Sequence, residues 1–205
     1  MKSTIILKLL LVFLTCSCNP IEGSFKNYEQ KEKEIKELTA FFKTIIPKDH
    51  LVFIRFNSDN NIDFKVDQIN FMEKDSWKTN SLFTKYGQFH RWDVPFENRD
   101  LNQVIDFINW DMGKIDELRD KLKNANCISV GTRFETISKE RVLAISIEYP
   151  TYELYSLSYK IFDKQLNEIS FNQLQERCNL KSINKEVFLE YGGYARGSNC
   201  FPDER

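Results

Sequence analysis

The chain has 205 residues, enough for one domain with a full hydrophobic core and no need of disulfide or metal staples. Hydrophobic residues make up 41% and charged residues 29%, which excludes a disordered or collagen-like chain. The 29 Lys and Arg nearly cancel the 30 Asp and Glu, and a net charge of -1 offers no basic field for a nucleic-acid partner. Seven Gly and two His argue against a glycine-rich nucleotide fold or a histidine-built metal centre, so no cofactor and no metal are expected.

Residues 1–17 have the layout of a secretory signal. Lys2 and Lys8 carry positive charge, residues 5–7 and 9–14 are apolar, and no acidic residue precedes Glu22. The apolar stretch is too short for a stable membrane span. It ends in Thr15-Cys16-Ser17-Cys18. A Cys after the apolar region, preceded by a small residue, resembles a bacterial lipoprotein box, in which cleavage precedes the Cys and the Cys is acylated. Ser17 points to Cys18 as the lipidated residue; Thr15, where the box usually has Leu, leaves Cys16 as the alternative. Cleavage there removes two Lys and no acid, so the mature chain carries 27 basic and 30 acidic residues. In lipoproteins with this layout an Asp directly after the Cys often retains the protein at the inner membrane; Asn19 stands there instead, so the resemblance implies the outer membrane.

Residues 18–24 read as a tether and 25–205 as a single globular domain. Residues 25–46 read as a helix: Ile35, Leu38, Phe42 and Ile45 recur at helical spacing, Ser24 or Asn27 can cap the start, and Pro47 ends it. Residues 51–56 and 62–66 read as strands joined by the turn-rich 57–61. Residues 67–99 carry Phe71, Trp77, Phe83, Tyr86, Phe89, Trp92 and Phe96 without a clean period, a stretch too long for a plain loop. Helices follow over 100–108 and 111–124, with Gly113 at their junction. Strands are predicted over 127–134, 141–149 and 152–162, the last two joined tightly at Pro150-Thr151. A short helix over 171–177 and a strand over 186–191 complete the chain. Strands do not alternate with helices, so the expected class is α+β: one antiparallel sheet with helices packed on one face.

The C-terminal third carries the most distinctive text. Asn126-Cys127-Ile128-Ser129, the run of residues 155–164, and Tyr191-Gly192-Gly193-Tyr194-Ala195-Arg196-Gly197 leading to Cys200-Phe201-Pro202 together resemble uncharacterised small Gram-negative lipoproteins that end in a Y-G-G-x-A-x-G-x-x-C-F-P stretch. The resemblance covers about residues 110–202. It implies an envelope lipoprotein and brings no catalytic residue with it.

Beyond the two processing cysteines, Cys127, Cys178 and Cys200 remain in an oxidising setting, and three thiols allow at most one internal pair. Cys127 opens an apolar strand and is expected to be buried and reduced, which leaves a Cys178–Cys200 disulfide. His50 and His90 make a joint site only if the fold brings them together; two unrelated polar histidines are the simpler reading. Asp59, Asn61 and Asp63 have the spacing of a calcium loop, but Phe64 occupies the place of its Gly and Asn70 that of its Glu, so a hairpin turn explains them better. Residues 192–197 could let backbone amides approach an anion, yet no Lys-Ser/Thr and no helix follow, so a bent loop is expected. Trp77 and Trp92 are candidate binding aromatics, with core packing as the plainer alternative.

These features predict a lipid-anchored envelope protein that binds another macromolecule without catalysis, an immunity protein against a delivered toxin being one specific form. A membrane, through the anchor, and a protein are the expected partners. A small envelope hydrolase and a glycan-binding lipoprotein are the alternatives.

Overall fold

The computed structural model describes residues 19–69, 88–151, 155–193 and 197–202. Its frame is one antiparallel sheet of nine strands: β1 (His50–Phe56), β2 (Asn61–Gln68), β3 (Gln88–Pro95), β4 (Ser129–Ile137), β5 (Glu140–Tyr149), β6 (Ser156–Phe162), β7 (Leu180–Ser182), β8 (Val187–Gly193) and β9 (Gly197–Ser198). The order across the sheet is β3-β2-β1-β4-β5-β6-β8-β7, and β9 pairs with β8. Four helices are described: α1 (Pro20–Ile45), α2 (Arg99–Phe107), α3 (Met112–Asn124) and α4 (Glu168–Gln175). This is the expected α+β class.

Alternation along each strand sorts the side chains into two faces. Val52, Ile54, Ile62, Phe64, Val66, Val130, Ile145, Ile147, Leu157, Tyr159, Val187 and Leu189 point one way and are buried under α1, α2 and α3. From the helices, Ile35, Leu38, Phe42, Leu101, Val104, Ile105, Ile115, Leu118 and Leu122 complete that core. The short α4 seals a second, smaller cluster of Ile137, Ala144, Phe162, Leu174, Leu180 and Phe188 at the far end of the other face. None of the described helices covers the rest of that other face.

Helix α1 begins at Pro20, five residues before the predicted start, so residues 20–24 are not a tether. Asn19 is the cap: its side chain accepts from the Ile21 N–H at 3.1 Å, and Pro20 takes the first turn, where no N–H is required. Ser24, expected as a cap, is buried instead. The helix bends at Lys31, the one residue inside it with non-helical angles. Its two halves dock separately. Tyr159 donates its hydroxyl to the Ser24 carbonyl (2.7 Å), and Asn27 Nδ2 donates to Tyr159 Oη (3.1 Å) and the Ala125 carbonyl (3.2 Å). Near the other end, Trp110 Nε1 donates to the Ile45 carbonyl at 2.6 Å.

Other boundaries also move. The α2–α3 junction lies at 108–111, where Asn109 takes a positive φ of 55°, and Gly113 sits inside the first turn of α3, behind its Asp111 cap. The β5–β6 pair is antiparallel as expected, but Tyr149 faces Leu157, so the connection is longer than the tight Pro150-Thr151 turn. Strand β3 lies within 67–99, and it, the three-residue β7 and the two-residue β9 are strands that the sequence pattern does not predict. The unassigned 70–87 lie outside the described residues.

Candidate functional site

The uncovered face forms an open hollow of about 840 Å³. Small residues dig it. Gly131 faces Ser146 across β4–β5, and Ser156 faces Gly192 across β6–β8. A Cβ at Gly131 would stand 3.1 Å from the Phe53 Cα on the neighbouring strand, so any larger residue there would have to push β1 aside. Ser129 and Ser158 flank Glu148, one on each side, in the same row.

Charged residues stand around this floor as ion pairs whose carboxylates are all buried. Arg55 Nη2 pairs with Glu148 Oε2, which also accepts from Ser129 Oγ at 2.9 Å. Asp67 accepts from His90 Nε2 at 2.6 Å and from Lys65 Nζ at 3.2 Å. At the other end Lys160, only 1% exposed, reaches Glu135 at 2.7 Å and Glu190 at 3.1 Å. Arg133 bridges the same two acids at 2.7 and 2.9 Å, and Arg177 reaches Glu135 at 3.2 Å. Burial pushes the Glu135 carboxyl up, but Lys160, Arg133 and Arg177 outweigh it and hold it below its ordinary value. Burial likewise pushes Asp67 up, and His90 with Lys65 brings it down.

An aromatic lip closes one side. Between Phe64↔Arg91 and Ile62↔Val94 the β2–β3 register slips, so two residues of β3 oppose Asp63. Asp93 takes a positive φ of 54° at this bulge; Asp63 accepts its N–H at 2.7 Å, and Asn61 Nδ2 donates to its carboxylate at 2.8 Å. The bulge delivers Trp92 to the open face, 61% exposed, with its ring centroid 6.5 Å from that of Phe53.

The predicted site residues fall as follows. Cys178 and Cys200 form a disulfide, with Cα atoms 4.6 Å apart, and Cys127 is free and buried. Burial, reinforced by the charge of Glu148, raises the Cys127 thiol far above its ordinary value, so it is an inert core residue. Trp92 lines the hollow; Trp77 and Cys18 lie outside the described residues. His50 and His90 are on opposite faces. His50 shares the side of Val52 and Ile54, and its ring meets Phe107 edge-on at 5.3 Å; His90 faces Lys65 on the open side. Asp59, Asn61 and Asp63 diverge: Asp59 pairs with Lys123 at 2.9 Å, while Asn61 and Asp63 serve the bulge. Gly192 and Gly193 pair with β9, extending the sheet into the tail. Among the described residues no group of three His, Cys, Asp or Glu is placed to hold a metal ion, and no helix is long and apolar enough to cross a membrane.

The ion-pair floor was not found from sequence. Its signal was present: Ser156, Ser158 and Lys160 alternate with Leu157, Tyr159 and Ile161, and Ser146 and Glu148 with Ile145 and Ile147. That pattern says one face of these strands is polar. It does not say that Lys160 meets Glu135, which requires the strand order. No protein-family model, curated protein or solved structure matches the chain.

Proposed function

We propose that this is a non-enzymatic, lipid-anchored cell-envelope protein that binds a macromolecular partner on the open face of its sheet, immunity-type protection being one specific form. The observation that carries the reading is the hollow itself. Among the described residues, a sheet with three helices on one side has no helix over the middle of its other side, which is hollow and lined by paired charges, with one large aromatic exposed at the lip. A volume of about 840 Å³ lies within the range of ligand-binding clefts, roughly 300–1,000 Å³. The charged side chains are already held by one another, so the surface is pre-organised and loses little side-chain freedom on binding. The envelope location rests on the signal-like residues 1–17 and on Cys18, with outer-membrane placement following from Asn19. The anchor suits the fold: α1 starts two residues after Cys18 and packs on the covered side, so an acyl chain there would leave the hollow free.

Photo-crosslinking in intact cells tests this. A photoreactive amino acid at Ser156, in the hollow, should yield a discrete crosslinked species. The same group at Glu37, on the exposed side of α1, should not. Equal crosslinking from both positions, or none from Ser156, overturns the reading.

A further inference from the structure

Inside the sheet, β4 keeps part of one edge free. It pairs with β5 along the whole of Ser129–Ile137 without a slip in register, but it meets β1 only over residues 129–131. The Phe56 N–H donates to the Ile128 carbonyl at 3.0 Å, so even-numbered residues of β4 turn their N–H and C=O toward β1 and odd-numbered ones toward β5. The two-residue turn at Ser138 and Lys139, both at positive φ, closes on the pair Ile137↔Glu140 and fixes the same phase. Beyond Val130 the even residues are Thr132, Phe134 and Thr136, and no described strand pairs with them on that side. Side chains take over at the two ends. The Thr132 hydroxyl accepts the Val52 N–H at 2.9 Å, and Arg177 Nη2 donates to the Thr136 carbonyl at 2.7 Å. Between them, the N–H and C=O of Phe134 and the N–H of Thr136 have no partner among the described residues.

The outer edges of the sheet are blunted. Strand β3 carries the bulge at Trp92 and Asp93 and ends in Pro95, and β7 and β9 have three and two residues. Natural sheets use such devices to refuse a further strand. The β4 edge has neither device. Thr136 on it is exposed, and the hollow reaches it, with Leu51 and Val52 on one wall and Thr132, Phe134 and Thr136 on the other. Resting on the binding reading above, we infer that this edge receives an extended segment of a protein partner, which adds a strand beside β4 where β1 leaves off. A row of backbone donors and acceptors on a strand edge is matched by a second backbone in extended conformation. A helix spends its own N–H and C=O groups internally and cannot answer them. At about 3.3 Å per residue, residues 132–136 take a segment of roughly four or five residues. Its side chains alternate between the open face, beside Arg133 and Glu135, and the other face, beside Phe134, so alternating polar and apolar residues suit it.

Fluorescence anisotropy on the purified mature protein tests this with a labelled peptide of about eight alternating Thr and Val residues with a Lys at each end, and with the same peptide N-methylated at its inner amides. Methylation keeps the side chains and removes the donors that strand pairing needs. The parent peptide should bind at least about tenfold more tightly than the methylated one. Thr136→Pro removes an edge N–H that β5 does not use, and should weaken the parent peptide at least about tenfold. Thr136→Val keeps that N–H and should leave the affinity within about twofold. Hydrogen exchange should slow at Phe134 and Thr136 when the parent peptide is added, and not along β3 or β7. Circular dichroism and thermal melts verify that both variants are folded, and the methylated peptide and the exchange readout need no variant. No binding of the parent peptide, equal binding of the methylated one, full affinity in Thr136→Pro, equal loss in Thr136→Val, or protection at β3 instead of β4 overturns the inference. So does a wild-type dimer that Thr136→Pro separates, since the occupant is then a second copy of the chain. Crosslinking from Ser156 in cells would still stand after any of these, so failure of strand addition and failure of the binding role are separable.

Discussion

Lys160 holds an ammonium almost wholly out of water between two carboxylates. Taking these charges from solvent is costly, and their mutual attraction has to offset it. Removing one partner of a buried pair typically costs about 3–5 kcal/mol. Arg133 still bridges Glu135 and Glu190 when Lys160 is gone, so Lys160→Met is expected to cost about 3 kcal/mol in urea unfolding, near the lower limit. Adding Glu190→Gln to it should recover part of that loss, because the two sites are coupled. The same carboxylates set the acid response. Asp67 and Glu135 have folded-state values below their ordinary ones. The folded protein therefore takes up their protons less readily than the unfolded chain does. Their stabilisation is complete above the unfolded carboxylate range of about 3.9–4.3 and is lost as the pH falls through the lower folded values. Urea midpoints should fall on acidification below about pH 4, and Glu135→Gln should make that fall shallower. A midpoint equally steep in the variant would mean that Glu135 plays no part.

At the scale of elements, the first half of α1 is held to the sheet by polar contacts as much as by apolar ones. Tyr159 is fully buried, and its hydroxyl serves both the Ser24 carbonyl and Asn27. Tyr159→Phe leaves those groups short of a partner in a closed environment, so a loss of about 1–2 kcal/mol is expected, read by thermal or urea unfolding. Hydrogen exchange should quicken in residues 20–30 more than in the second half of the helix, which Ile35, Leu38 and Phe42 anchor independently. Helix α1 also shows what was legible in advance. Its apolar stripe at Ile35, Leu38, Phe42 and Ile45 is periodic, and packing follows that period. Its start was misplaced because Ser24 and Asn27 are good caps locally, and only the distant Tyr159 and Ala125 draw them into the core. Strands β5 and β6 were legible from alternation, whereas β3 was hidden by the bulge at Trp92 and Asp93, which breaks the period of two. The tail follows the sequence argument more closely. The Cys178–Cys200 bond closes a separation of 22 residues, and Phe201, beside it, is fully buried against Tyr191, with ring centroids 5.3 Å apart. Cys178→Ser with Cys200→Ser should cost about 3 kcal/mol by the chain-entropy relation. Calorimetry of the variant should show that loss, and an unchanged melting temperature would mean that Phe201 alone secures the tail.

For the whole molecule, the proposed acylation site at Cys18 lies a short distance from the fold. Only Asn19 separates Cys18 from the first helical residue, Pro20, and by Ser24 the chain is already buried. A lipid on Cys18 would therefore hold the domain against the bilayer by its helix-bearing side, with no flexible spacer between them. Acyl chains contribute ~0.8 kcal/mol per buried CH₂, so several together make attachment effectively permanent. Cys18→Ser is expected to abolish incorporation of labelled fatty acid and to leave the protein unprocessed or released from the membrane fraction. Retained labelling in that variant would move the acylated residue to Cys16, and labelling lost only in a Cys16→Ser variant would settle the matter in favour of the earlier cysteine. Sucrose-gradient separation of the wild-type membranes then reads the destination. Asn19 after the anchor predicts outer-membrane fractions, and protein found only with the inner membrane would refute that placement while leaving the anchor itself intact.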